Sequence, residues 1–168
     1  IRKGIKFIDN NILLTDKDDN MIEYFVYLDE LKSNRLSINK FSRDYFKELL
    51  ASKFYNVVLC LDKNTRLPIG GFIYSLIGSV GDSIYIAGTD FERKTFANKA
   101  LTYLAMQECK LLGAKYFITG VGYTDGNMEA VSQYKRSIST NEVSCGMFRS
   151  PISLKGRIYA SLLHFRRR

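Results

Sequence analysis

The sequence predicts an α+β domain on a mixed sheet, and three observations carry that prediction. Residues 55–61, 69–77 and 83–88 are runs rich in Val, Ile and aromatics separated by short turns. The apolar period then changes to three and four over residues 98–112, and a short strand pattern returns at 115–119. Strands joined by tight turns run antiparallel, whereas a helix between two strands supplies the crossover that parallel pairing needs. The expected layout is an antiparallel meander that becomes parallel through one central helix, with helices on both sheet faces.

Each element follows in order. Residues 1–7 are basic and apolar, and the polar cluster 16–20 has helix-capping character. Met21, Tyr24, Phe25, Leu28 and Leu31 recur at helical spacing, so the first helix buries that stripe and ends near Asn34. Ser42 caps a second helix, because Phe41 and Phe46 have the spacing of a hydrophobic staple; that helix buries Phe46, Leu49 and Leu50. Asp62-Lys63-Asn64-Thr65 turns the first hairpin, and residues 78–81 form a second turn. Asn98 is the expected cap of the central helix, in which Leu101, Leu104, Ala105 and Leu112 share a face, and Gly113 supplies a left-handed stop. Residues 120–127 hold Gly120, Gly122 and Gly126 and lead into a short helix over 128–136. Residues 142–148 read as a last strand, Ser150-Pro151 breaks it, and 154–165 is an apolar-faced helix closed by Arg166, Arg167 and Arg168.

The chain has 168 residues, the size of one domain. Its 46% apolar and 25% charged residues exclude long disorder, and no run approaches the ~18 apolar residues of a membrane span. Cys60, Cys109 and Cys145 lie far apart in apolar segments, which suggests neither a disulfide framework nor a metal site and fits a reducing, cytoplasmic setting. The single histidine, His164, makes a hydrolase triad improbable. The net charge is +8, of which +7 lies in residues 135–168. Such a patch attracts RNA, a phosphorylated cofactor or an anionic membrane surface; a solubilising surface is the commoner reason for one.

Several strings, in this order, resemble the GNAT acyltransferase fold and its Fem-type (FemAB-like) branch. They are Phe41-Ser42-Arg43-Asp44-Tyr45-Phe46, then Ile84-Tyr85-Ile86-Ala87-Gly88-Thr89-Asp90 with Phe91-Glu92-Arg93-Lys94 and Asn98-Lys99-Ala100-Leu101. Gly113-Ala114-Lys115-Tyr116-Phe117-Ile118-Thr119-Gly120 and Tyr134-Lys135-Arg136 complete the likeness, which covers residues 21–148. The resemblance implies transfer of an acyl or aminoacyl group to an amine of a cell-wall precursor or sugar, with aminoacyl-tRNA or acyl-CoA as donor and no metal. Residues 93–98 lack the glycine of an Arg-x-x-Gly-x-Ala loop, which lets backbone N–H groups wrap a pyrophosphate; Phe96 stands there. That departure favours an aminoacyl-tRNA donor or an altered donor site. Many Fem-type proteins carry two such domains, so a fragment of a longer chain is expected.

Acyl transfer to an amine needs a charge for the developing oxyanion, a base and a proton for the leaving group. The resemblance puts Lys135 at the oxyanion, with Tyr134 in the same cleft; the plainer reading has Tyr134 in the core and Lys135 solvated. Asp90, after the strand that lines the cleft, serves as base or acceptor ligand, or is a turn residue. Gly120 and Gly122 let a ligand approach the backbone, or only shape a turn. Asp125, with Glu129, holds the acceptor amine, or is a helix cap. Arg93 is grouped with the substrate-binding residues. Three further readings stand beside the Fem-like enzyme: an acyl-CoA-dependent N-acetyltransferase, a non-catalytic module that binds RNA or a membrane surface through the C-terminal basic helix, and a degenerate structural domain.

Overall fold

The computed structural model describes residues 1–17, 19–120 and 129–141. The elements are α1 (Arg2–Ile8), β1 (Ile12–Leu14), α2 (Asp19–Leu36), α3 (Arg43–Ala51), β2 (Tyr55–Leu61), β3 (Pro68–Ile77), β4 (Val80–Gly88), α4 (Asp90–Thr95), α5 (Ala97–Leu111), β5 (Tyr116–Ile118) and α6 (Glu129–Arg136). The strands form one sheet in the order β1-β2-β3-β4-β5, antiparallel throughout except for the parallel β4–β5 pair. Among the described residues this is the predicted mixed sheet, with one crossover.

The period-two pattern of the strands sorts their side chains onto two faces. Val57, Leu59, Leu61, Ile73, Tyr85 and Ala87 meet Met21, Phe25 and Leu28 of α2 and Phe46, Leu49 and Leu50 of α3. Val58, Cys60, Phe72 and Tyr74 meet Ala97, Ala100, Leu101, Ala105 and Cys109 of α5, with Ile8 of α1 beside them. Ser42 caps α3 by accepting the Tyr45 N–H at 3.1 Å, and the Phe41 and Phe46 rings meet edge to face. Gly113 takes φ +93° and ends the central helix as its position predicted.

The structure corrects several local expectations. Residues 1–7 form no plain lead-in: α1 is a helix and β1 adds an edge strand. A seven-residue helix is not stable alone, and the reason α1 forms is its docking on α5, where Gly4 lies so close that a Cβ there would stand 2.4 Å from the Phe96 carbonyl oxygen. Val80 and Gly81 belong to β4, not to a turn, because they pair with Ile77 and Leu76. Between β4 and α5, where no element was expected, residues Asp90–Thr95 form the helix α4. Asn98 does not cap the central helix; it is buried within α5, and the N-cap is Phe96, held at φ +60° by the break between α4 and α5. Leu112 sits past the helix end and is 61% exposed, off the predicted buried face. The strand and helix expected at 142–148 and 154–165 lie outside the described residues.

Candidate functional site

The parallel pair is short. β4 and β5 are matched only from Val80 opposite Tyr116 to Asp82 opposite Ile118, and β4 then runs on to Gly88. A register shift between Ile73 and Tyr74 leaves an extra residue, Ile84, on β4 at this point. Such a bulge bends a strand and increases its twist, which carries β4 away from β5. The carboxyl ends of two adjacent parallel strands are the position ligands favour in sheets of this kind, which makes the end of the β4–β5 pair the candidate site.

The polarity of the cleft edge follows from the ladder. In an antiparallel pair, residues alternate between facing their partner and facing away. Thr89 N–H donates to the Ile69 carbonyl at 2.9 Å, so the next bonded pair is Gly71 with Ala87. Ile86 and Gly88 therefore turn their backbone groups to the outer edge. There Lys32 Nζ donates to the Ile86 carbonyl at 3.0 Å, and Arg35 donates to the Gly88 carbonyl at 3.3 Å. Both cations come from α2. Lys32 also lies 4.2 Å from the centre of the Tyr85 ring, and burial lowers its pKa from the ordinary lysine value.

At the end of β5, Gly120 adopts φ +90° and Lys135 lies against it: a Cβ on residue 120 would stand 3.0 Å from Lys135 Nζ. The positive φ is what favours glycine here, since the lysine head could shift away from a Cβ. Lys135 is half-buried, and desolvation lowers its pKa below the ordinary lysine value. Tyr134, one residue before, turns to α5, where its hydroxyl is 2.9 Å from Thr102 Oγ1 and donates to the Asn98 carbonyl at 3.3 Å. Lys99 Nζ lies 5.9 Å from the Tyr134 ring centre and 5.8 Å from that of Phe96. With Ile1, Arg2 and Lys3, Phe96 and Lys99 line an open pocket of about 430 Å³ at the start of α5.

Of the residues singled out from sequence, Gly120 and Lys135 are thus brought together, with Tyr134 adjacent on α6. Asp90 begins α4 at the end of β4, with its carboxylate 82% exposed and 3.3 Å from Arg35. Arg93 lies in α4, and Gly122 and Asp125 lie outside the described residues. Asp82 was missed. It is the last β4 residue paired with β5, and burial raises its carboxyl pKa. Its signal was an acid interrupting an otherwise apolar strand. Lys32, Arg35 and the buried Asp29 were also missed, because on α2 they read as ordinary polar positions. Among the described residues no three His, Cys, Asp or Glu side chains are grouped to hold a metal ion.

No model of a known protein family matches the chain, and no curated protein matches it in sequence. Its fold does match solved structures. An aminoglycoside acetyltransferase, meta-AAC0020, from an uncultured soil metagenomic sample, in complex with sisomicin, superposes with a TM-score of 0.66 at 15% identity, over 86% of this chain and 98% of that one. Aminoglycoside 6'-N-acetyltransferase AAC(6')-Ih from Acinetobacter baumannii gives 0.65 at 11% identity, over 85% and 99%. The ribosomal-protein-S18-alanine N-acetyltransferase of Escherichia coli gives 0.62 at 13%, over 80% and 79%. The chain has the GNAT acetyltransferase fold. No helix among the described residues is long and apolar enough to cross a membrane.

Proposed function

We propose that the protein is an N-acyltransferase that moves an acyl group from an activated donor to an amine in the β4–β5 cleft. The observation that carries this reading is the half-buried Lys135 ammonium against Gly120 where the parallel strands separate. In the reaction the amine nitrogen attacks the acyl carbonyl carbon, an oxyanion develops, and the bond to the leaving group breaks as that group gains a proton. Lys135 supplies positive charge to the oxyanion, where low polarity strengthens it. The Tyr134 hydroxyl, which donates to the Asn98 carbonyl beside Thr102, is the proton donor once its O–H turns from that carbonyl to the leaving group. Asp82, at the apex of the cleft, is the acid whose raised pKa suits it to take the amine's proton. Asp90, tied to Arg35, stands at the rim as an acceptor ligand.

CoA is the donor that the fold suggests, and the residues here do not fit it in two respects. The turn before α5 has the Phe96 side chain where a backbone cradle for phosphate needs glycine, and α1 packs on its carbonyl. The β4 carbonyls that could pair with an amide-bearing arm are occupied by Lys32 and Arg35. Both features count against CoA as the donor. Arg2, Lys3 and Lys99 at the nearby pocket suit a phosphate-bearing donor held by side chains. The Fem-like reading, with aminoacyl-tRNA as donor and a cell-wall precursor or sugar amine as acceptor, is supported by the sequence strings and by these two features.

The test is acyl transfer, followed by mass spectrometry, from acetyl-CoA and from aminoacyl-tRNA to amino sugars and to a cell-wall precursor amine. Product is expected from a donor in this set. Lys135→Ala should lower turnover about 100-fold while the chain stays folded, the scale of losing an oxyanion contact. Failure of every donor, or full turnover by a folded Lys135→Ala variant, overturns the proposal.

A further inference from the structure

The outer edge of β4 is a half-strand. Beyond Asp82 it pairs with no further strand among the described residues, and such an edge normally invites an extended ligand that both donates and accepts hydrogen bonds. Here one half of that capacity is used. Residues 86 and 88 face outward, and their carbonyls take the Lys32 ammonium and the Arg35 guanidinium. Their N–H groups point the same way and stay on the edge as donors.

We propose that Lys32 and Arg35 are specificity-determining positioning residues that make the cleft edge selective for a donor recognised through its oxygen acceptors and closed to one with an amide-bearing arm. This deepens the acyltransfer reading and rests on it. An amide-bearing arm laid along this edge would seek the two outward carbonyls, and each already has one of its two lone pairs bonded to a cation that stands on the same edge. A ligand amide that displaced Lys32 would leave that ammonium half-buried without its carbonyl, which costs more than the new bond returns. A donor that lays ester, hydroxyl or phosphate oxygens along this edge meets no such conflict, since the Ile86 and Gly88 N–H groups donate to them.

The arrangement is held from several sides. Lys32 stacks over Tyr85, whose hydroxyl donates to the buried Asp29 at 2.7 Å, and Asp29 also accepts the Phe41 N–H at 2.8 Å. Arg35 is anchored by Asp90 at 3.3 Å. Lys32 is half-buried, whereas Arg35 lies at the surface and is held by the Gly88 carbonyl and its ion pair to Asp90.

The experiment uses Lys32→Met and Arg35→Met in the whole chain, with two readings. The first is the backbone carbonyl ¹³C resonances of Ile86 and Gly88. Each should shift in the variant that removes its partner while the rest of the amide spectrum persists; unmoved carbonyls overturn the proposal. The second is acetyl-CoA affinity by equilibrium dialysis. Freed carbonyls should tighten it about fivefold in each variant, the scale of one net hydrogen bond. Affinity unchanged or weakened in both overturns the selectivity even where the carbonyls shift. Acyl transfer by the unaltered protein is scored separately, so loss of the proposed function is told apart from loss of this edge control.

Discussion

The Tyr85 hydroxyl donates to Asp29 Oδ1 at 2.7 Å, joining β4 to α2 across 56 residues of sequence. Asp29 is 2% exposed and Tyr85 5%, so neither group can turn to water instead. The same carboxylate accepts the Phe41 N–H and faces Ser33 Oγ at 3.5 Å, which fixes the chain leaving α2. Burial and this carboxylate raise the Tyr85 pKa, so the phenol stays protonated and donates at all ordinary pH.

Tyr85→Phe is expected to destabilise the fold by about 1–3 kcal/mol, because it removes the donor and leaves a buried carboxylate oxygen unsatisfied. Urea titration measures this. A change within error would show that water or another donor replaces the phenol.

Asp82→Asn should raise stability at neutral pH. Burial raises the Asp82 pKa, so the folded chain keeps this proton to a higher pH than the unfolded chain. The contribution of the group is then fullest below the unfolded pKa and is lost as pH climbs through the folded value. Asparagine stays neutral and avoids the loss. Melting temperatures of the two proteins should separate at pH 7 and converge below pH 3.8, the ordinary value for an aspartic acid side chain. Equal melting at pH 7 counts against a desolvated carboxylate at the cleft apex, and lost transfer in a stable variant supports its role as base.

The Lys135 charge sets the alkaline limb of activity. Its pKa is lowered by burial, so the cation is lost at a lower pH than from an exposed lysine. Transfer should fall with rising pH on a limb below the ordinary lysine range, and Lys135→Arg should move that limb upward because a guanidinium stays charged. A kcat profile that is the same in both proteins assigns the limb to another group.

Gly4→Val should release α1. A side chain at residue 4 would meet the Phe96 carbonyl at 2.4 Å and the Ala100 Cβ at 3.0 Å, and a rigid backbone neighbour cannot yield by that much. The expected result is fast amide exchange across α1 with slow exchange kept in β2, β3 and β4, since an undocked seven-residue helix cannot persist. Protection retained in α1 would mean that the contact is more pliable than its distances imply.

What the sequence by itself determined was the part decided within a few residues. The Ser42 cap and its Phe41–Phe46 staple, the apolar stripe through Met21, Phe25 and Leu28, the Gly113 stop and the change of period before β5 all act over one or two turns of chain, so each could be read locally. Their order gave the mixed sheet and its crossover. Lys135 and Gly120 were legible as a glycine and a cation near a strand end, but their contact was not. The tertiary structure alone decided what depends on elements packing across long separations. α1 is a helix because α5 receives it, and Phe96 takes a left-handed turn because two helices meet there. Lys32 and Arg35 reach the carbonyls of Ile86 and Gly88 over 54 and 53 residues, because α2 crosses β4 where the bulge has bent it from β5. No periodicity or cap records such a contact, since its energy arises only once both partners are fixed in place.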